Sequence, residues 1–307
     1  MESQKKLAVQ IRSRTQQSQF VETYVEGLRL FSTTGNYGPI PIVLKPSICV
    51  VVQGRKEIHI GDRQHVYDPE SYLIHTVTMP VEAEVTHASV DCPFLGLSLS
   101  IDPLVVGQLV VEMDRQSAPD WQGNPMNITQ STPVTEALYS SLERLVKVSE
   151  HQHDSSILAQ NLKREVYYEV LKGPFGYMLR NCISNYAGAN RIAPVVQYIE
   201  ANFRKPIDIE TIAAIANMSA STLYDHFRQV TTLSPMQYVK SLRLHEARSL
   251  LAGGQQASNV CNEVGYNSPS QFSREFKRFF GDSPKEVKAL SELQGSALLQ
   301  ENKKAPA

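Results

Sequence analysis

The sequence predicts an α+β chain in which a small β-barrel or sandwich with two or more helices is followed by an all-helical part built from a duplicated unit. Three observations carry this expectation. Short apolar runs of strand type, broken by turn residues, fill residues 46–100, the period lengthens to about 3.6 after Pro133, and the last third repeats itself at a fixed offset.

A chain of 307 residues with 42% hydrophobic content exceeds one typical domain and supplies ample core, so two domains are expected. No apolar run reaches the roughly 18 residues of a membrane span, and residues 1–19 are polar without an apolar signal core, so the chain is expected in the cytoplasm and off the membrane. Cys49, Cys92, Cys182 and Cys261 have no CxxC spacing, which argues against a zinc knuckle or a disulfide framework. The formal charge of −1 divides unevenly: residues 191–288 carry 12 Lys+Arg against 9 Asp+Glu, leaving 18 against 22 elsewhere. That bias permits a nucleic-acid partner for the last third without requiring one.

The expected strands are 48–52, 57–60, 66–67, 72–74, 81–86 and 94–99. Gln53-Gly54-Arg55 and Gly61-Asp62-Arg63 are candidate hairpin turns, and Asp68-Pro69-Glu70 is another turn. Val134, Leu138, Leu142 and Leu145 then mark one amphipathic helix over 133–148, and Leu158, Leu162, Val166 and Val170 a second over 155–171, joined by the polar stretch 150–155. The apolar stripes of these helices either pack on the barrel or pair two copies of the chain. Residues 1–184 are expected to form the first domain, 185–190 a linker, 191–293 the second domain and 294–307 a frayed tail.

Within the last third, Ile215 pairs with Val264, Ser219 with Ser268, Leu223 with Phe272, Phe227 with Phe276, Arg228 with Lys277, and Ser234-Pro235 with Ser283-Pro284, each pair 49 apart. Shared apolar positions of this kind are the core contacts of a helix-turn-helix, and each copy reads as a three-helix unit. In the first copy Asp208 caps 210–216, residues 217–219 make the turn and 220–230 form the second helix; in the second, 257–264 precede the turn 265–267, Ser268 caps, and 269–280 follow. A helix over 235–251, roughly 25 Å long, separates them and ends at Gly253-Gly254. The second helix of each copy carries the chemistry that base edges and phosphates require: Ser221, Thr222, Tyr224, Asp225, His226 and Arg228 in one, Ser270, Gln271, Ser273, Arg274, Lys277 and Arg278 in the other.

The run 268–281, Ser-Pro-Ser-Gln-Phe-Ser-Arg-Glu-Phe-Lys-Arg-Phe-Phe-Gly, followed by Ser283-Pro284, resembles the signature of AraC/XylS-family transcriptional regulators. Met218-Ser219, Leu223, Phe227-Arg228, Ser234-Pro235, Tyr238 and the run from Leu242 to Arg248 extend the resemblance over about 191–288. It implies double-stranded promoter DNA and RNA polymerase as partners, with both recognition helices in successive major-groove segments and activation as the commoner output. It also implies that Ser221, Tyr224, Asp225, Ser270, Gln271, Ser273 and Arg274 face bases; Thr222, Arg228, Lys277 and Arg278 are the residues whose own chemistry suits phosphates. Asp225 departs from the basic or amide side chains usual in the family, which puts phosphate contact there in doubt and leaves a cytosine amino group as its acceptable partner.

The segment Pro46 to Lys56, with Tyr67-Asp68-Pro69, is similar to the cupin-like N-terminal domain of one subgroup of that family, over about 23–175. This resemblance implies a barrel for a small-molecule effector and helices that support a homodimer. A cupin-type enzyme fused to a DNA-binding module is the alternative, but His59, His65, His75 and His87 form no His-x-His pair, His151-Gln152-His153 sits in a polar connection, and neither a nucleophile elbow nor a phosphate loop is present. No catalytic residue, metal or cofactor is therefore expected. Cys49 or Cys92 as a thiol sensor is a secondary reading.

Overall fold

In the computed structural model, residues 2–16, 18–60, 63–115, 128–186 and 191–289 are described. The chain divides into two compact units, Met1–Ile40 with Leu44–Pro194, and Val195–Ala307 with Pro41–Val43.

The first unit opens with α1 (Glu2–Arg14), then β1 (Phe20–Glu22), β2 (Leu28–Thr33), β3 (Tyr37–Leu44), β4 (Ser47–Gln53), β5 (Arg55–Ile60), β6 (Arg63–Tyr67), β7 (Ser71–His75), β8 (Met79–His87) and β9 (Phe94–Ser100). It continues through α2 (Pro103–Asp114), β10 (Thr129–Pro133), α3 (Glu136–Val148), α4 (Gln152–Lys172) and α5 (Tyr177–Tyr186). The strands form a six-stranded sheet in the order β1-β2-β9-β4-β7-β10 and a four-stranded sheet β3-β8-β5-β6. The barrel-type α+β fold is therefore present, with four strands beyond those expected.

Alternation decides what each face buries. Ile48, Val50, Leu97 and Leu99 project from the six-stranded sheet into one cluster with Leu7 and Ile11 of α1, Leu138, Leu142 and Leu145 of α3, and Val166 and Val170 of α4. The helix stripes are thus absorbed by the sheet, except at Leu158 of the expected α4 stripe, which stays exposed one turn before Leu162. Each aliphatic side chain buried in this way contributes about 1.5–3 kcal/mol. Polar ties fix the layers: the Tyr139 hydroxyl donates to Pro69 O at 2.8 Å, the Tyr167 hydroxyl to Ser100 O at 2.6 Å, and the Arg14 guanidinium to Val146 O at the end of α3 at 3.1 Å.

Several expectations need correction. Gly54 does take a positive φ of 85°, and an added Cβ would meet His87 O at 2.5 Å, but β4 and β5 lie in different sheets, so Gly54 carries the chain across rather than closing a hairpin. Gly61 and Asp62 of the second expected turn lie outside the described residues. Helix α4 begins at Gln152, with His151 at its N-cap, so most of the expected polar connection, including His153, is helical. Helix α5 runs through Asn185 and Tyr186; the remainder of the expected linker, and the tail 294–307, lie outside the described residues.

Apart from residues 41–43 of β3, the elements described in the second unit are helices: α6 (Ile192–Asn202), α7 (Ile209–Ile215), α8 (Ala220–Thr231), α9 (Pro235–Ala252), α10 (Ala257–Glu263) and α11 (Pro269–Phe280). Leu244, Ala247 and Leu251 of α9 pack with Val260, Cys261, Val264, Tyr266, Phe272 and Phe276 into the core of the second copy. Leu223 and Phe227 are equally buried in the first, with Phe227 edge-on to Tyr238 at 5.4 Å.

The two copies are not in one register. Helices α8 and α11 keep the offset of 49, whereas α7 and α10 are 48 apart, so Ile212, Ala213 and Ala216 correspond to Val260, Cys261 and Val264. The expected pairing of Ile215 with Val264 is one residue out: Ala216 and Val264 are buried and Ile215 only partly so. The second turn contains one residue more, and Tyr266 fills it by burying its ring beside Phe272.

Candidate nucleic-acid interface

Each recognition helix is started by a serine hydroxyl that accepts from its own third backbone N–H: Ser219 from Thr222 at 3.2 Å, and Ser268 from Gln271 at 3.3 Å. Each is preceded by a left-handed residue, Asn217 at φ 51° and Gly265 at φ 88°. At Gly265 an added Cβ would lie 2.4 Å from Arg204 O, so glycine is required there by space as well as by φ. Below this turn Arg243 donates to three carbonyls, Phe203 O at 2.6 Å, Lys205 O at 2.8 Å and Gly265 O at 2.9 Å. One planar guanidinium thereby ties α9 to the chain after α6 and to the second turn. Nothing in the sequence pattern marks Arg243 for this role.

The buried side of each helix faces its core, and every position expected to meet DNA is exposed: Ser221, Thr222, Tyr224, Asp225 and Arg228 on α8, and Ser270, Gln271, Ser273, Arg274, Lys277 and Arg278 on α11. By helical spacing Ser221, Tyr224, Asp225 and Arg228 share one face, and Ser270, Ser273, Arg274 and Lys277 share the matching one, with Thr222 and Gln271 beside them. Three of these side chains are already engaged. The Thr222 and Ser221 hydroxyls lie 2.8 Å and 3.1 Å from Ser219 Oγ in the cap, and Gln271 Nε2 donates to Glu275 Oε1 at 3.3 Å. Glu275 in turn accepts from Tyr266 at 2.9 Å and pairs with Lys240 at 3.1 Å, and these partners together hold its carboxyl below the usual range against the opposing effect of burial. Gln271 is therefore oriented by a network under the helix. Among the described residues, no carboxylate lies within ion-pair distance of Arg228, Arg274, Lys277 or Arg278. The caps and polar outer faces, cationic on α11 and mixed on α8, suit both helices to contact an anionic duplex.

The histidines separate differently from expectation. His59 Nε2 sits 2.8 Å from Glu84 Oε1, and with Glu57 these side chains bring ligand atoms within 4.8 Å of one another. A search for His-x-His misses such a group because Glu84 arrives from β8. Arg55 and Gln64 already satisfy Glu57, so the group is internally compensated. His75 is fully buried, and desolvation pushes it down to about 3. Burial pushes the Cys49 thiol up, away from the thiolate that a sensor needs, whereas Cys92 is exposed.

A barrel unit joined in one chain to two capped helix-turn-helix units defines a regulator-type architecture. The family model described as AraC-type transcriptional regulator N-terminus matches residues 24–178, and one described as helix-turn-helix domain matches 212–289; the chain belongs to the AraC-type transcriptional regulators. It is 25% identical over 157 residues to the HTH-type transcriptional activator RhaS of Escherichia coli O1:K1 / APEC, covering 50% of this chain and 56% of that protein. Against RhaS of Enterobacter sp. (strain 638) the identity is 30% over 99 residues, 32% of this chain and 36% of the relative. The chain thus spans from about a third to just over half the length of these curated relatives. In fold it is similar to an apo ToxT variant from Vibrio cholerae strain SCE256, with a TM-score of 0.63 at 11% identity, covering 87% of this chain and 98% of that one. Wild-type ToxT with an unsaturated fatty acid bound gives 0.58 at 12% identity, covering 88% and 94%.

Proposed function

We propose that this chain is a sequence-specific transcription regulator, acting as an activator in the cytoplasm, that reads promoter DNA through α8 and α11 and answers a small molecule held by its first unit. The carrying observation is the pair of recognition helices, each with a serine cap, a buried aromatic or aliphatic side and an exposed polar side ending in free cations. Ser221, Tyr224, Asp225, Ser270, Gln271, Ser273 and Arg274 are the base-reading set, and Thr222, Arg228, Lys277 and Arg278 the phosphate set. The hydroxyl and the backbone N–H of Thr222 both meet Ser219 Oγ, so in this set Thr222 serves by holding the capped start of α8 at the phosphate surface. The relatives named as activators support RNA polymerase as the second partner, and the ToxT structure with a bound unsaturated fatty acid supports a small-molecule effector.

A second copy of the chain is the partner we assign to the outer edge of α4, where Ile157 and Leu158 stay exposed after the inner stripe is buried. Leu158→Glu tests this without touching the core, whereas Leu138, which is 2% exposed, would unfold it. Sedimentation should show a dimer that Leu158→Glu converts to monomer; an unchanged mass contradicts the assignment.

The regulator reading is tested by fluorescence anisotropy of the full chain on promoter-derived and scrambled duplexes at low and high salt. The expected result is preference for particular promoter duplexes and affinity falling steeply with salt as phosphate contacts release counterions. Equal affinity for every duplex contradicts it.

A further inference from the structure

Glu275 of α11 collects three donors from three places in the second unit. The Tyr266 hydroxyl of the second turn donates to its Oε2 at 2.9 Å, and the Lys240 ammonium of α9 pairs with the same oxygen at 3.1 Å. Gln271 Nε2, one turn earlier on α11, donates to Oε1 at 3.3 Å. The Glu275 side chain is only 16% exposed, whereas Gln271 lies on the outside of the helix. Burial works against the charged form of Glu275, but Lys240, Tyr266 and Gln271 together hold its carboxyl below the usual range. Burial and the adjacent carboxylate push the Tyr266 hydroxyl up, so it remains a donor. At neutral pH Glu275 is therefore purely an acceptor.

An acceptor at this point settles a choice that a glutamine otherwise leaves open. The amide can turn over and exchange its carbonyl for its NH2 group, and the two forms suit different partners. An ionised carboxylate admits only the NH2 group, so Nε2 faces Glu275, and among the described residues Gln271 Oε1 takes no hydrogen bond. One N–H is used on Glu275. What remains for DNA is a carbonyl oxygen with the second N–H beside it. In the major groove adenine matches that pair, since its N6 donor lies next to its N7 acceptor. Guanine sets two acceptors there, O6 and N7, and brings a carbonyl against a carbonyl.

The first copy has no counterpart to this network. At the offset of 49, Thr222 and His226 stand where the second copy has Gln271 and Glu275, and Tyr266 fills the one extra residue of the second turn. We propose that Glu275 is a specificity-determining positioning residue, which locks the Gln271 amide so that α11 reads adenine at the base pair Gln271 meets. This deepens the regulator reading given above and rests on it. Glu275 acts through Gln271 and need touch no base itself, and the Lys240 ammonium compensates its charge next to the phosphates.

The test is selection from a randomised duplex library by the full chain, followed by anisotropy on the selected duplex and on its adenine-to-guanine exchange. Wild type, Gln271→Ala, Glu275→Gln and the double variant are compared. Wild type should favour adenine over guanine at one position of the α11 half by about five- to a hundredfold, the discrimination a bidentate contact gives. Gln271→Ala changes an exposed side chain and should abolish that preference without loss of fold. Glu275→Gln keeps the shape and an oxygen for Tyr266 and Lys240 but frees the Gln271 amide to turn over. It should make adenine and guanine nearly equal at that position while the guanine read by Arg274 persists. The double variant should lose no more adenine preference than Gln271→Ala alone, because both changes remove one interaction. Glu275→Asp keeps the charge but draws the carboxylate back from Gln271 by one methylene; it should act like Glu275→Gln, and it decides the matter if Glu275→Gln does not fold. A gain in affinity shared by all duplexes reports only the lost negative charge and is separated by the base preference. An adenine preference that survives in the folded Glu275 variants overturns the proposal. So does a loss spread equally over the guanine read by Arg274, as a merely structural role gives, or losses that add in the double variant. Wild type that selects a motif without a Gln271-dependent adenine overturns this proposal alone, whereas wild type that selects no motif overturns the regulator reading.

Discussion

Asp225 and Arg274 occupy equivalent positions on α8 and α11 and carry opposite charge, so the two recognition helices cannot read DNA in the same way. Arginine is able to make a bidentate contact to guanine, worth about 1–3 kcal/mol of discrimination, and Arg274→Ala should cost that much on the best site and relax one or two base pairs. Lys277→Ala should weaken all duplexes alike. Asp225→Ala should raise non-specific binding by removing a carboxylate from the phosphate surface. Binding of the three variants to specific and scrambled duplexes at two salt concentrations separates these outcomes; a purely uniform loss in Arg274→Ala contradicts its base-reading role. His245 gives a pH prediction at the same scale. Its ring lies edge-on to Phe279 and Phe280, each at 5.4 Å, its Nε2 is buried without a partner, and desolvation together with Arg248 pushes it down to about 4. The unfolded chain takes up this proton near its ordinary value of about 6.5, so the stability that neutral His245 contributes is present above that pH and is lost as pH falls towards 4. Between pH 7 and 5 the second unit should lose about 2 kcal/mol from this residue, and His245→Leu should flatten that part of the slope in denaturant titrations. An unchanged slope would remove His245 from the account.

Helix and strand boundaries show what the sequence could and could not convey. Strands β4 to β9 were legible because apolar alternation or short aliphatic runs survive in each between turn residues. By contrast, β3 contains Pro39 and Pro41, β10 reads Thr-Gln-Ser-Thr-Pro with no apolar residue, and α1 buries only Leu7 and Ile11. Helix α2 begins Pro-Leu-Val-Val-Gly, a continuous apolar run interrupted by glycine, and its period is correspondingly weak. The recognition helices were legible because caps, core and polar face all fall within 12 consecutive residues of each. The meeting of His59 with Glu84 was not, since it depends on pairing between β5 and β8, which are distant in sequence. The extra turn residue of the second copy also escaped, because a one-residue shift still lands on an apolar side chain. That turn carries its own prediction: Gly265→Ala should destabilise the second unit by about 2–3 kcal/mol through positive φ and collision with Arg204 O, while Asn217→Gly in the roomier first turn should be within about 0.5 kcal/mol of neutral. Thermal melts of both variants check the contrast, and equal losses would contradict it.

At the scale of the whole chain, the net charge of −1 conceals a second unit in which cations outnumber acids, and that unit has its own core, caps and turns. A fragment of residues 187–292 should therefore fold alone and keep the DNA preference of the full chain, with weaker avidity if dimerisation resides in α4. Circular dichroism and anisotropy on the fragment check this; a folded fragment that binds every duplex equally contradicts it. The central claim is that two unlike recognition helices in one chain read two adjacent segments of duplex DNA. Selection from a randomised duplex library by the full chain, repeated with Arg274→Ala and Asp225→Ala, tests it most directly. The account predicts a bipartite motif spanning about two major-groove segments, in which Arg274→Ala erases a guanine from one half and Asp225→Ala alters only the other. A single-segment motif, or one that both substitutions leave intact, would contradict the assignment of α8 and α11 as the reading helices.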